Sequence, residues 1–574
     1  MGEKKENWQE IIQKKLSKNT KTLDVNLTTK VDNQIVNEMG TTTFPCTTNK
    51  EIIKPVRLKA FVNNFGTITL KPSSKLLSKI LCACKESVYD IKKNEWRISP
   101  NDFVSVKKVL FSNRFIFDDL PKGLVALLNN KIEPSDFILN GEIYQKMFSF
   151  QKEGVMFSLN RGGRVLLGDE MGLGKTIQAL GVAYYYKIEW PLLIISPASL
   201  LDNWADAVWT FLGEQATIVR SKSDFGNRIS IISYEIASRN SDIIKLVRFG
   251  VILCDECHYL KSTTSQRSKK LLPILQSCSR LVLMSGTPAV SRPVELFNVF
   301  SALDKTLFPN FMEYGKRYCN ARKIGHWYDY KGCTNAEELN YILKEFFMIR
   351  RTKEEVLSQL PLKFRRQIIL STKASAETSK ENAIGEVVDQ SIMAQYAEAA
   401  TLKLDCVKSY VDTMLERDIK FIIFAHHTVM VDGLGAYLEE KSVEFIRIDG
   451  SVPNASRHKL VTEFQTNEQM QVALLSITAC STGLTLTSAK AVVFAELYWN
   501  PGTLLQAEDR IHRIGQKDNV DIHYLVAKGT IDEYVWPVLL KKLNVLQSLG
   551  IQENNLKKVG SQLKEQKRIT DFFK

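Results

Sequence analysis

Two rounds of alternation between short apolar runs and helical patterns constrain the fold of this chain more than any other feature of its sequence. The first round covers residues 141–370 and the second covers residues 400–550. Parallel strands need long crossover connections, usually helices, so this alternation is typical of parallel α/β sheets. We therefore predict an α/β protein with two lobes, each a parallel sheet flanked by helices, joined by a linker at 371–399.

The stretches outside the two lobes differ from them in composition. Residues 1–50 and 551–574 are polar and Lys-rich, and we predict that both are disordered tails. Residues 51–115 are predicted to form a small basic domain, followed by a linker at 116–140. From Ile52 to Phe115, 13 Lys and Arg residues stand against 4 Asp and Glu, which gives +9 of the net charge of +14. This concentration indicates a polyanionic partner, most simply nucleic acid, although a solvated basic face would also explain it.

Hydrophobicity and cysteine usage limit the class of protein. The longest apolar runs, such as Pro191–Pro197, have the length of a strand and fall far short of a membrane span. The first thirty residues are polar, unlike a secretory signal, so we predict an intracellular protein. Cys254 and Cys257 have no second CxxC pair to complete a zinc site, so reduced buried thiols are favoured over metal ligands.

A phosphate-binding loop is predicted in the first lobe. The apolar run Arg164–Gly168 is followed by a Gly-rich turn and then by a helical pattern. Glycines let backbone amides wrap phosphates, and a helix N-terminus favours negative charge. The predicted nucleotide-binding residues of this turn are Asp169, Glu170, Met171, Gly172, Leu173, Gly174, Lys175 and Thr176. Lys175 would reach the β- and γ-phosphates and the Thr176 hydroxyl would bind Mg²⁺, although Asp169 stands where the strict pattern has Gly.

Three further first-lobe residues fit the same chemistry. Asp255 and Glu256 follow the apolar strand Phe249–Cys254. A carboxylate at a strand end beside a phosphate-binding loop supplies the Mg²⁺ partner, here Asp255, and Glu256 is then placed to polarise the attacking water. Gln151 precedes the loop by about twenty residues, and its amide matches the donor and acceptor edge of adenine. An acidic turn and an ordinary surface Gln are the alternatives.

The second lobe contains a run, Gln506–Gln516, that includes two arginines. On a helix that continues to Gln516, four side chains would share one face at spacings i, i+3, i+4 and i+7, namely Gln506, Asp509, Arg510 and Arg513. Arginines that one lobe directs at a nucleotide held by the other would act as arginine fingers, with Gln506 beside the nucleotide. An exposed ion-pair helix is the alternative.

The motifs DEMGLGKT, DECH, SGTP, DGS and QAEDRIHRIGQ, in this order, resemble those of the Swi/Snf-related ATPases of helicase superfamily 2. The resemblance covers about residues 147–536. It implies two RecA-like lobes, ATP and Mg²⁺ as cofactors, a nuclear location, and movement along double-stranded DNA without routine strand separation. The residues expected at Gln151, Lys175, Asp255, Glu256, Arg510 and Arg513 are all present. The chain departs from the family at Cys257 and Cys480, where small residues are usual.

Within this family, the run Tyr89–Phe103 resembles a HARP domain, the DNA-structure-recognition module of annealing helicases. Further runs, Phe424–His427, Phe494–Gly502 and Leu357–Lys363, are similar to the same subfamily, which remodels stalled replication forks. Tyr89, Trp96 and Phe103 are expected either in the core or against bases. A nucleosome remodeller and an inactive DNA-binding scaffold are the alternative functions.

Both tails carry a short motif. The last residues resemble a PIP box, the peptide by which replication proteins bind the sliding clamp PCNA, with Gln566, Ile569, Phe572 and Phe573 at its spacing. One helical turn would place the three apolar side chains on one side. The Trp8–Leu16 segment is predicted to bind replication protein A, as the N-termini of the resembled family do, although a disordered tail is the alternative. The chain is expected to act as a monomer.

Overall fold

The computed structural model describes residues 56–71, 74–82, 87–113, 115–130, 132–286, 292–356, 361–372, 392–478, 486–513 and 516–549. These residues divide into two compact units, Met1–Leu120 and Pro121–Lys574. Both tail motifs lie outside the described residues.

The described residues of the first unit form a mixed five-stranded sheet with two helices. Its strands, in the spatial order β3-β4-β2-β1-β5, are β1 (Val56–Val62), β2 (Ile68–Lys71), β3 (Ser87–Asp90), β4 (Glu95–Ile98) and β5 (Phe115–Asp118). Its helices are α1 (Lys75–Cys82) and α2 (Pro100–Ser112). Strands β1 and β5 are parallel and the other pairs are antiparallel.

The aromatic residues of the HARP-like run fall into two groups. Trp96 and Phe103 are buried in the core of this unit, which excludes them from stacking on bases. Tyr89 is exposed, with its ring centroid 5.1 Å from that of Trp96. Alternation along β4 turns Trp96 inward, whereas Tyr89 lies on the edge strand β3.

The stretch 116–140 is not a plain linker. Strand β5 pairs with β1 and extends the sheet of the first unit beyond Phe115. A helix, α3 (Lys122–Asn129), follows it and buries Leu124 and Leu128. Two leucines four residues apart were too short a pattern to indicate this helix from sequence.

The first lobe is a seven-stranded parallel sheet in the order β14-β6-β11-β10-β7-β9-β8. Its strands are β6 (Arg164–Leu167), β7 (Leu192–Ser196), β8 (Thr217–Ile218), β9 (Ile229–Ser233), β10 (Val251–Cys254), β11 (Arg280–Met284) and β14 (Met348–Ile349). The helices that surround it are α4 (Glu142–Gln145), α5 (Ser149–Asn160), α6 (Lys175–Tyr185), α7 (Leu201–Leu212), α8 (Tyr234–Arg239), α9 (Ser241–Val247), α10 (Gln266–Ser277), α11 (Phe297–Leu303), α12 (Phe311–Tyr318), α13 (Ala336–Ile342) and α14 (Lys353–Val356). A separate hairpin of β12 (Arg322–Ile324) and β13 (Trp327–Asp329) follows α12.

The second lobe is a six-stranded parallel sheet in the order β15-β20-β19-β16-β18-β17. Its strands are β15 (Lys363–Ser371), β16 (Phe421–Ala425), β17 (Phe445–Ile448), β18 (Val472–Ser476), β19 (Ala491–Phe494) and β20 (Val520–Lys528). Its helices are α15 (Ile392–Leu415), α16 (Thr428–Glu440), α17 (Asn454–Thr466), α18 (Pro501–Glu508) and α19 (Asp532–Ser548). No helix among the described residues is long and apolar enough to cross a membrane.

The prediction of an α/β chain with two parallel sheets is confirmed, but the boundary at residue 370 is corrected. Strand β15 pairs with β20 along its whole length, so it belongs to the second lobe. The second lobe therefore begins near residue 363 rather than 400. Its first strand pairs with a partner about 157 residues later, as Lys363 with Val520, which no local pattern indicates.

Candidate nucleotide-binding site

The loop after β6 has the backbone conformation of a phosphate cradle. Gly172 and Gly174 have φ angles of 89° and 74°, a region that residues with a Cβ atom avoid. A side chain at Gly174 would also collide with the amide of Gln151. Helix α6 begins directly afterwards at Lys175, so its N-terminal amides and Thr176 border the loop.

Lys175 holds this loop closed and faces several carboxylates. Its Nζ donates hydrogen bonds to the carbonyl oxygens of Asp169 (2.8 Å) and Glu170 (3.3 Å). Loss of hydration lowers the pKa of Lys175, while the charges of Glu256, Asp169 and Asp255 act in the opposite direction. The predicted lysine and the predicted acidic pair therefore meet at one place, which is the carboxyl edge shared by β6 and β10.

Asp255 follows the last residue of β10 and is held by two donors. Trp204 Nε1 donates to Asp255 Oδ2 and the backbone N–H of Glu256 donates to Asp255 Oδ1, both at 2.9 Å. Desolvation and the neighbouring charge of Glu256 raise the pKa of Asp255. A cation beside Asp255 would relieve this penalty.

Glu256 stands next in the chain in a strained backbone conformation, with φ at 47°. Its Oε2 lies 3.1 Å from His258 Nδ1 and accepts a hydrogen bond from the Ser285 hydroxyl at 3.4 Å. Desolvation opposes ionisation of Glu256, but the His258 hydrogen bond and the charges of His258, Lys175 and Arg510 outweigh it and lower its pKa. Glu256 is therefore held as a carboxylate beside Lys175.

The predicted adenine-reading residue Gln151 lies on α5 with both ends of its amide engaged. Its Nε2 donates to the carbonyl oxygen of Leu173 at 3.1 Å, and its Oε1 accepts from the backbone N–H of Phe148 at 3.0 Å. In this arrangement Gln151 supports the loop from behind. A base would have to displace these bonds to be read by the amide.

Asp169, predicted among the nucleotide-binding residues, is occupied by its own protein neighbours. Its carboxylate accepts hydrogen bonds from Arg351 Nη2 at 2.6 Å and from Gln178 Nε2 at 3.0 Å. Only the backbone of Asp169 thus remains to face a nucleotide. Sequence reasoning missed Arg351 as a support of the loop, although the adjacent pair Arg350 and Arg351 was a visible signal.

The segment after β14 continues this support. The backbone N–H of Glu170 donates to the carbonyl of Arg351 at 3.0 Å, and the Glu170 side chain accepts from the backbone N–H of Lys353 at 2.7 Å. Residues 349–353 therefore lie beside the Gly-rich loop and support it through these hydrogen bonds.

The arginines of the second lobe do not lie on a continuous helix. Helix α18 ends at Glu508, and Asp509 to Arg513 form a tight turn. Within this turn the carbonyl oxygen of Arg510 accepts a hydrogen bond from the N–H of Leu486 at 3.0 Å. The prediction of one helical face through Gln506, Asp509, Arg510 and Arg513 was therefore wrong in its geometry.

The turn nevertheless brings both arginines to the first lobe. A Cβ atom at Gly172 would lie 3.3 Å from Arg513 Cγ, so Arg513 packs against the phosphate-binding loop. Arg510 is close enough to Glu256 to lower its pKa. Gln506 is buried within α18. Residues from both lobes thus form one site.

Five charged residues fasten the turn Asp509–Arg513. The sequence pattern placed Asp509 beside the arginines but did not indicate these ion pairs. Lys353 Nζ donates to Asp509 Oδ1 at 3.0 Å and to the carbonyl of His512. Lys363 Nζ lies 3.2 Å from both Asp509 and Glu508, and Arg365 pairs with Glu508 at 2.6 Å. The charges of Lys353 and Lys363 lower the pKa of Asp509 despite its burial.

Comparison with known proteins identifies the family. Residues 150–402 match the SNF2-related domain and residues 402–515 match the helicase conserved C-terminal domain. The "SWI/SNF-related matrix-associated actin-dependent regulator of chromatin subfamily A-like protein 1 homolog" of Caenorhabditis elegans is 36% identical over 539 residues, which cover 88% of this chain and 78% of that protein. The chain belongs to the SWI/SNF-related ATPases.

Two other SWI/SNF-related proteins show the same similarity over part of their length. The subfamily A-like protein 1 of Xenopus laevis is 40% identical over 519 residues, which are 84% of this chain and 53% of that protein. The "DNA annealing helicase and endonuclease ZRANB3" of Mus musculus is 42% identical over 460 residues, 75% of this chain and 43% of that protein. The chain thus spans about half the length of these two relatives.

The site fits the ATP that SWI/SNF-related ATPases use. The two left-handed glycines, the N-terminus of α6 and the Lys175 ammonium provide donors and positive charge for phosphates. Each oxygen of Asp255 accepts one hydrogen bond and keeps a second lone pair for a cation. Asp255 and the Thr176 hydroxyl are the residues that would hold Mg²⁺, which commonly binds one or two protein ligands together with phosphate oxygens.

Proposed function

We propose that the chain is an ATP-driven translocase on double-stranded DNA that anneals strands and remodels stalled replication forks in the nucleus. The observation that carries this proposal is the site shared by the two lobes, where Arg510 and Arg513 meet Gly172 and Glu256. A site completed by both lobes couples ATP hydrolysis to their relative movement. The names of two relatives, which contain "DNA annealing helicase" or "SWI/SNF-related", support the choice of DNA and annealing.

In the proposed mechanism each residue acts on phosphate, metal or water. Lys175 would neutralise the β- and γ-phosphates, while Thr176 and Asp255 would hold Mg²⁺. The Glu256 carboxylate orients and polarises the attacking water. The two arginines stabilise the negative charge that develops on the transferred phosphoryl group, an effect of about 10³ to 10⁵ in rate for arginine fingers.

The substrate is tested by DNA-stimulated ATPase and strand-annealing assays on forked DNA, blunt duplex, single strands and nucleosomes. The proposal expects the strongest stimulation and the annealing activity on forked DNA. A nucleosome remodeller, which the words "regulator of chromatin" in one relative's name favour, would instead respond most strongly to nucleosomes.

Deletion of the first unit tests its proposed role in recognising DNA structure. The deletion should cover residues 52–120, because β5 completes the sheet of this unit. We expect a folded ATPase that has lost most of its preference for forks. The dependence of DNA binding on salt should also become shallower, since fewer phosphates are neutralised. A truncated chain with the same fork preference and the same salt slope would refute a DNA-recognition role for this unit.

The proposed contact with the sliding clamp PCNA depends on the C-terminal tail. Phe572→Ala combined with Phe573→Ala should abolish clamp binding and recruitment to replication sites and leave ATPase activity normal, because both aromatics would fill one pocket of the clamp. Calorimetry of a 561–574 peptide against the clamp measures this directly, with the double variant peptide as control. Absence of binding heat at high micromolar peptide would reject the contact. The binding of Trp8–Leu16 to replication protein A stays a prediction.

A further inference from the structure

The hairpin β12–β13 presents an unusual surface on the first lobe. Its two three-residue strands are joined through Gly325, whose φ of 60° permits the tight turn. The stretch 320–331 carries three Lys and Arg residues against one Asp. It combines positive charge with aromatic side chains and is not part of the nucleotide site.

One face of the hairpin is anchored to the lobe. Tyr328 lies in β13 and Tyr330 directly follows that strand, and their ring centroids are 6.1 Å apart. Tyr330 packs edge to face on Phe311 with ring centroids 4.8 Å apart, and it fits closely over Gly315 of α12, where a side chain would collide with it. Lys316 Nζ lies 5.8 Å from the centre of the Tyr328 ring. This face therefore holds the hairpin in a defined position.

The opposite face is open to solvent. Ile324 and Trp327 are directly opposed across the two strands, and they are 47% and 57% exposed. Arg322 lies on the same face, two residues before Ile324, and it is exposed as well, with Asp329 directly opposite it in β13. Lys323 is also exposed, but it is opposite Tyr328 and lies on the other face. An exposed Trp beside exposed basic residues has the composition of a surface on which bases stack while cations hold phosphates.

We propose that this hairpin binds nucleic acid and stacks Trp327 on an unpaired base next to a duplex end, while Arg322 and Lys323 hold the adjoining phosphates. The inference rests on the proposed DNA translocase function. Charge favours nucleic acid over an apolar protein partner, because residues 320–331 carry three Lys and Arg residues against one Asp. An unpaired base is favoured over the interior of a duplex, because both faces of an interior base are covered by its stacked neighbours.

The test compares the full-length chain with Trp327→Ala by fluorescence anisotropy on forked DNA with unpaired arms and on blunt duplex. We expect about tenfold weaker binding of the fork, since stacking on an aromatic side chain typically supplies this much affinity. Binding of blunt duplex should change little. Trp327→Phe should restore most of the loss. Trp209→Ala is the matched control, because Trp209 on α7 is similarly exposed at 61%. This substitution should leave both affinities unchanged.

The basic residues are tested separately through salt dependence. Arg322→Gln combined with Lys323→Gln should reduce the slope of log affinity against log salt by roughly 1.4 to 1.8, as expected for two lost phosphate contacts. If the wild-type chain binds no DNA, the proposed function itself fails. If the wild-type chain binds DNA and Trp327→Ala binds every DNA equally well, or weakens fork and blunt duplex to the same degree, the hairpin proposal is overturned.

Discussion

Lys175→Ala and Glu256→Gln each reduce DNA-stimulated ATP turnover by at least about 100-fold, the scale of loss when one preorganised electrostatic group is removed from an active site. Lys175 is the cation at the phosphate-binding loop, and Glu256 is the ionised carboxylate beside it. Glu256→Gln keeps the shape of the side chain and removes its charge, so it tests the polarisation of water alone. Steady-state ATPase rates with saturating DNA measure both effects.

DNA affinity separates this effect from unfolding. Both variants should bind DNA almost as well as the wild-type chain, because the proposed DNA contacts are spread over other surfaces. Glu235→Gln is a matched control, since Glu235 forms an ion pair with Arg267 outside the site. Turnover within about tenfold of wild type in either variant would mean that the residue does not have its assigned role.

Lys353→Met lowers kcat by about 100-fold while changing the KM for ATP much less. Lys353 connects the two halves of the site, because its backbone N–H binds Glu170 and its Nζ binds Asp509 and His512. Its loss would release the turn that carries Arg510 and Arg513, and a shift of about 1 Å in a reacting group costs this much in rate. Asp509 keeps Lys363 as a partner, which limits the loss of stability.

Lys403→Met provides the control for loss of a buried lysine. Lys403 is as buried as Lys353 and pairs with Asp532 at 2.8 Å, entirely within the second lobe. Thermal unfolding should show that this control is destabilised at least as much, since Asp532 loses its lysine partner, yet kcat should stay near wild type. Lys353→Arg should recover part of the activity. Equal losses of kcat in Lys353→Met and Lys403→Met would mean that Lys353 contributes only stability.

Local patterns were sufficient to predict the phosphate-binding loop. A strand, a Gly-rich turn and a helix are contiguous in sequence, and the structure has them as β6, Gly172 to Gly174, and α6. The approach of Lys175 to Asp255 and Glu256 also followed, because strands β6 and β10 are parallel and their carboxyl ends share one edge.

Features that depend on distant contacts could not be predicted in the same way. Strand β15 lies in the second lobe because it pairs with β20, far away in sequence. The helix before the arginines stops at Glu508, and in the turn that follows the carbonyl of Arg510 binds the N–H of Leu486, although the local pattern favours a longer helix. Asp169 faces Arg351 rather than a phosphate, and the two residues are 182 positions apart.

The most direct test of the central claim, that ATP hydrolysis between the two lobes drives movement along duplex DNA, is displacement of a third strand from a DNA triplex. The wild-type chain should displace a triplex-forming strand from duplex in the presence of ATP and Mg²⁺, while Glu256→Gln should bind the same DNA without displacing it. DNA-stimulated ATP hydrolysis by the wild-type chain with no displacement of the third strand would contradict the account.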